Sequence, residues 1–162
     1  MRRHLLLLPL ALLAASGAAA QAPFRLPEGE RMRLATQGLG WTVLRDLAAP
    51  RGAAETGMLL IRAQRPVPPA ARRGHLARTL RHLRPFHFDA LPAATRTEMA
   101  GLPADRLEAR GIGQPSGVPV VVRATCLYGP ARSWLLIASA PVADWPGLEP
   151  ELTRLLDGFR PG

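Results

Sequence analysis

His75, Arg78 and His82 fall in one line on a helix that the spacing of Leu76, Leu80 and Leu83 predicts from Ala70 to about Leu83, with Arg81 beside them. Two histidines on one helix face suggest a metal site, and guanidinium groups suggest an anion site. A metal needs its ligands within reach of one ion. His75 and His82 are two helical turns apart, about 10.5 Å, and no carboxylate or cysteine lies at ligand spacing near them or near His87. The expectation is therefore no metal and no cofactor. The anion reading has more behind it, because Arg72, Arg73, Arg78, Arg81 and Arg84 share a stretch without one acidic residue between Arg65 and Asp89. A basic stripe beside an apolar one docks on anionic lipid or on an acidic partner. A plain solvated helix face has the same pattern, so both readings stand.

The remaining chemistry-bearing residues point away from catalysis. Cys126 shares the apolar parity of its strand with Val120, Val122 and Ala124, where a free thiol acts as a small hydrophobe. The loop Gly111 to Gly117 lacks the spacing of a dinucleotide-binding turn and is followed by a strand, and Ser116 is not in a nucleophile elbow. Glu28, Glu30, Glu149 and Glu151 have no partner in sequence that would split their pKa values for acid and base roles. No catalytic residue is assigned, and a hydrolase would need groups that converge only in space. Trp41 and Trp134 are the aromatics best placed to line a ligand pocket between sheet and helix, or else to fill the core.

The elements that position these residues are mostly strands. Met32 and Leu34 alternate with arginines, and Trp41, Val43 and Leu44 follow the turn Gly38-Leu39-Gly40. Leu59 to Ile61 reads as a more buried piece after a surface loop over 48–57. Thr95–Ala100 and Ala104–Arg110 flank the turn Gly101-Leu102-Pro103. Pro119–Tyr128 and Arg132–Ala140 are apolar on both parities, as central strands covered on both faces are. A last helix runs from about Gly147 to Asp157, with Leu148, Leu152, Leu155 and Leu156 on one side and Gly158 as a left-handed stop.

Ahead of all this, Arg2 and Arg3 precede an apolar run from Leu5 to Ala15 and a small-residue stretch ending Ala18-Ala19-Ala20. That is the form of a signal peptide over 1–20 with the cut after Ala20. Residues 21–30 then read as an extended lead-in, in which Phe24 and Leu26 pair onto a sheet, and 31–162 as one domain. The expected location is the periplasm or the exterior, with no transmembrane segment after cleavage, which makes nucleic acid an improbable partner. Among the 162 residues, all 21 basic side chains of the Lys and Arg class are arginine and there is one cysteine. With Arg2 and Arg3 removed the net charge is about +7, which favours anionic partners. A single cysteine forms no disulfide within the chain.

Two strings carry a resemblance. Thr97–Gly111 (TEMAGLPADRLEARG) and Pro150–Pro161 (PELTRLLDGFRP) resemble the PsbP-like superfamily, including the exported DcrB-like bacterial proteins. The strings mark a Gly-x-Pro turn between strands and a terminal helix followed by Gly158-Phe159-Arg160, where the superfamily usually has serine in place of the glycine. The resemblance implies an α+β fold with a central antiparallel β-sheet flanked by helices, an α/β/α sandwich, in proteins that mostly act by binding. It carries no binding residue onto this chain.

The combined reading is an exported, non-catalytic binding protein of the bacterial cell envelope. Its contact surface is the basic face of His75, Arg78, Arg81 and His82, and its partner an anionic envelope component or a protein. The alternative is a periplasmic carrier of a small apolar ligand near Trp41 or Trp134. Oligomeric state is not legible.

Overall fold

The computed structural model describes residues 24–162; the leader expected over 1–20 and its cut lie outside the described residues. Ten strands and three helices follow in the order β1 (Phe24–Arg25), β2 (Met32–Gly38), β3 (Trp41–Asp46), β4 (Met58–Gln64), α1 (Pro69–Arg72), α2 (His75–Arg81), β5 (Phe86–His87), β6 (Thr95–Met99), β7 (Leu102–Gly113), β8 (Pro119–Tyr128), β9 (Ser133–Pro141), α3 (Trp145–Asp157) and β10 (Arg160–Pro161). Eight strands make one antiparallel sheet in the order β2-β3-β4-β9-β8-β7-β5, with β6 also on β7, while β1 and β10 pair separately. The α+β class and the antiparallel sheet are as expected. Flanking by helices is looser than a full sandwich, since α3 covers one face and the short α1 and α2 cover part of the other.

Strand β9 is buried at every position, and β8 at nearly every one, because both lie mid-sheet with a helical layer on each side. On the α3 face, Trp134, Leu136 and Ala138 meet Leu148, Leu152, Leu155 and Leu156. Phe159 is 0% exposed, with its ring 5.4 Å from both Trp134 and Phe24. On the other face, Leu135 and Ile137 lie with Leu76, Leu80, Val122 and Ala124. The lead-in is fastened to α3 by one carboxylate: the backbone N–H groups of Glu30, Arg31 and Met32 all donate to Glu151, at 2.7 to 3.1 Å.

Three local expectations are corrected. The helix expected over Ala70 to Leu83 is two helices broken at Gly74, which has φ +67°. The side chain of Arg78 folds back there and donates to the carbonyls of Arg73 at 2.9 Å and Ala71 at 3.2 Å, closing α1. Gly158 is not a left-handed stop, since its φ is −84°. Glycine is needed because a Cβ would run into the Pro27 ring. The turn placed at Gly101-Leu102-Pro103 is the pair Ala100-Gly101, both at positive φ, and β7 runs on through Gly113.

Phe159→Ala is expected to lower the unfolding free energy by about 3–5 kcal/mol in urea denaturation, because it empties the centre of a fully enclosed aromatic cluster.

Candidate functional site

The polar residues that face inward gather under α1 and α2. In an antiparallel sheet paired residues share a face, so the pairing of Asp105 with Cys126, and of Tyr128 and Gln64 with Ser133, sets Asp105, Cys126, Tyr128, Gln64 and Ser133 on the face below these helices. The Tyr128 hydroxyl donates to Asp105 Oδ2 at 2.7 Å. Asp105 is only 6% exposed. Its other oxygen lies 3.9 Å from Arg96 Nε, beyond hydrogen-bond range. The Arg72 guanidinium is stacked over the Tyr128 ring at 4.7 Å and donates through Nε to the Val67 carbonyl at 3.0 Å. Ser133 Oγ accepts from the Val67 N–H, which fixes the entry to α1.

Gln64 joins the remaining members. Its amide nitrogen lies 3.3 Å from His75 Nε2 and 3.4 Å from Cys126 Sγ. The direction of the bond to His75 Nε2 follows the imidazole tautomer, since a ring nitrogen accepts when bare and donates when protonated. Burial lowers the His75 pKa, and the nearby Arg78 charge lowers it further. Burial likewise pushes the Cys126 thiol up to about 12. Tyr128 is raised as well, by burial and then by its bond to Asp105. A cysteine and a histidine thus share one amide, but burial holds the thiol protonated, the opposite of what a nucleophile needs.

Two adjoining cavities open beside this cluster. One of about 130 Å³ has Arg72, Tyr128, Asp105 and Arg96 in its wall. The second, of about 440 Å³, shares Arg96 and Asp105 and adds Arg73, Gly74 and Ala77. Around them the arm of α1 and α2 exposes Arg73, Arg78, Arg81, His82 and Arg84. None of the arginines from Arg72 to Arg84 pairs with a carboxylate among the described residues. Three arginines on the α3 side do pair: Arg31 with Asp46, Arg106 with Asp157, and Arg123 with both Glu108 and Glu149, each at 2.6 or 2.7 Å. Burial alone would lower the Arg123 pKa, and its hydrogen bonds to Glu149 and Glu108 overcome that and raise it.

Of the residues expected on the basic face, Arg78, Arg81 and His82 are exposed, while His75 is half-buried with its ring edge toward Tyr128 at 6.3 Å. Arg78 is also occupied in closing α1. Trp41 and Trp134 do not share a pocket: Trp134 is in the enclosed cluster on the α3 face, and Trp41 is half-buried on the other face under the Arg62 guanidinium at 5.3 Å. Neither lines the cavities above. Reading the sequence for chemistry overlooked Gln64, Arg96, Asp105 and Tyr128. Asp105 and Tyr128 were findable, since each falls on the apolar parity of its strand, with Leu107 and Ala109 or with Ala124 and Cys126.

The two shifted groups make opposite contributions to pH dependence. His75 has a folded pKa below its unfolded value, so the unfolded chain binds the proton first and stability falls as pH drops below about 6.5. Cys126 has a folded pKa of about 12, above its unfolded value of 9.0, so its stabilisation is present below pH 9 and lost as pH rises towards 12. Thermal melts across pH should show both losses, with His75→Gln flattening the acid limb. Iodoacetamide should label Cys126 at pH 8 only after unfolding, as read by mass spectrometry.

No family model matches the sequence, and no curated protein matches it. Among solved structures, LpqN, involved in cell envelope biogenesis of Mycobacterium tuberculosis, aligns with TM-score 0.66 and 14% identity over 85% of this chain and 82% of its own. PA94 of Pseudomonas aeruginosa, a protein of unknown function, aligns with TM-score 0.55 and 17% identity over 78% of this chain and 94% of its own. Cyanobacterial PsbP (CyanoP) from Synechocystis sp. PCC 6803 aligns with TM-score 0.50 and 13% identity over 93% of this chain and 99% of its own. At these identities the likeness concerns the fold and no site residue, and the fold is PsbP-like.

Proposed function

We propose that this chain is an exported, non-catalytic binding protein of the bacterial cell envelope that engages an anionic surface through the arm of α1 and α2. The observation that carries the reading is the run of five arginines along the arm from Arg72 to Arg84, none paired with a carboxylate among the described residues, whereas Arg31, Arg106 and Arg123 on the α3 side are each held by one or two. Unneutralised guanidinium groups on one face produce a local positive potential that attracts and orients anionic partners. The envelope assignment is supported by the basic, apolar and small-residue pattern of residues 1–20 and by the involvement of LpqN, which shares the fold, in cell envelope biogenesis. No helix among the described residues is long and apolar enough to cross a membrane. The non-catalytic reading is supported by the thiol held at about 12 and by the histidine committed to Gln64.

Binding to vesicles containing phosphatidylglycerol should be measurable at low salt and should fall steeply as salt rises. Arg73→Glu with Arg81→Glu should weaken it by at least about tenfold without changing the thermal melt, because Arg78 still closes α1. Binding that is insensitive to both salt and the charge reversal would contradict the proposal. For export, the intact mass of protein recovered from a periplasmic fraction should correspond to a chain beginning at Gln21.

A further inference from the structure

A second feature of the same sheet face lies away from the arm. Helix α2 packs mainly against β5, β7 and β8 and meets β4 at Gln64, so the part of the β2-β3-β4 end around Val43, Met58 and Leu60 lies beyond it. Val43, Met58 and Leu60 are half-buried there as the floor of a groove of about 380 Å³. Ala53 and Ala54 of the 48–57 loop form one wall, and Pro115 contributes to the other. That volume is within the range of small-molecule sites, about 300–1,000 Å³. The carboxylate in its lining, Glu55, is tied back by the Ser116 hydroxyl, which donates to Oε1 at 2.7 Å.

The mouth of this groove carries an unfavourable pair. Arg45, which lines it, stands directly opposite Arg33 in the register of β2 and β3. Like charges directly opposite one another destabilise a sheet. Both side chains are exposed, and neither makes a hydrogen bond or ion pair among the described residues. Arg31, Arg106 and Arg123 on the α3 side are neutralised by carboxylates; these two are left facing each other beside an apolar trough. We infer that the groove binds a small amphipathic anion, its apolar tail lying on Val43, Met58 and Leu60 and its carboxylate or phosphate head held between Arg33 and Arg45. The head relieves the repulsion through charge-assisted hydrogen bonds to two guanidinium groups, and the tail covers the apolar surface that no helix covers.

Calorimetric titration of the purified chain with decanoate, decyl phosphate and decanol tests this. At least one of the two anions should bind with a Kd below about 1 mM, and decanol about tenfold more weakly. Which anion binds assigns the head group. Arg33→Gln with Arg45→Gln should remove the advantage of the anion over decanol and leave the thermal melt unchanged or raised, since it deletes a repulsive pair. Ala54→Trp, at an exposed loop position in the groove wall, should abolish binding of all three. Absence of saturable binding by either anion, or binding that neither variant alters, would overturn the inference.

Discussion

Strand β9 is buried along both of its faces from Ser133 to Pro141, and that burial requires a layer of structure on each side of the sheet. On one side the requirement is met by α3, whose Leu148, Leu152, Leu155 and Leu156 present a continuous apolar stripe to the strand. Phe159 and Phe24 close the end of that layer. On the other side it is met by Leu76 and Leu80 of the much shorter α2, so the covering stops before the β2 edge is reached. The shortness of this second roof accounts for the two openings on that face: the cavities beside Asp105 and the groove over Val43 and Leu60.

The same division organises the charge. Next to α3, Arg31, Arg106 and Arg123 are each bound by carboxylates, and Glu151 takes up three backbone donors of the lead-in. Those contacts consume most of the acidic residues placed near that layer. Under α1 and α2 the one inward carboxylate, Asp105, is occupied by Tyr128 and shielded from water. The outward arginines of the arm consequently keep their charge unopposed. Arg78 spends two of its donors on the end of α1, which fixes the shape of the arm while leaving the guanidinium exposed.

Much of the sheet is legible in the residues. Apolar side chains on both parities identify β8 and β9 as central strands, and the glycines at Gly38 and Gly40 and at Gly101 locate two hairpins within a residue or two. The leucine spacing identifies α3 because its period and its partner face agree. The break at Gly74 is not legible in the leucine spacing, because Leu76, Leu80 and Leu83 all follow it and report only α2, while the interruption depends on where the Arg78 side chain folds. Strands β5 and β10 are two-residue pairings that exist only because tertiary packing brings Phe86 to Gly113 and Phe24 to Pro161. The inward turn of His75 depends on Gln64, which approaches from another strand. The groove is hidden for a similar reason: no local pattern states how much of a sheet a seven-residue helix will cover.

The proposed role requires the arm of α1 and α2 to be the surface that meets an anionic partner. Amide NMR spectra recorded while phosphatidylglycerol nanodiscs are added map the contact residue by residue. Broadening and shift changes should concentrate between Pro69 and Arg84, with the exposed side of α3 unaffected. Perturbations centred on α3, or spread evenly over the surface, would contradict it.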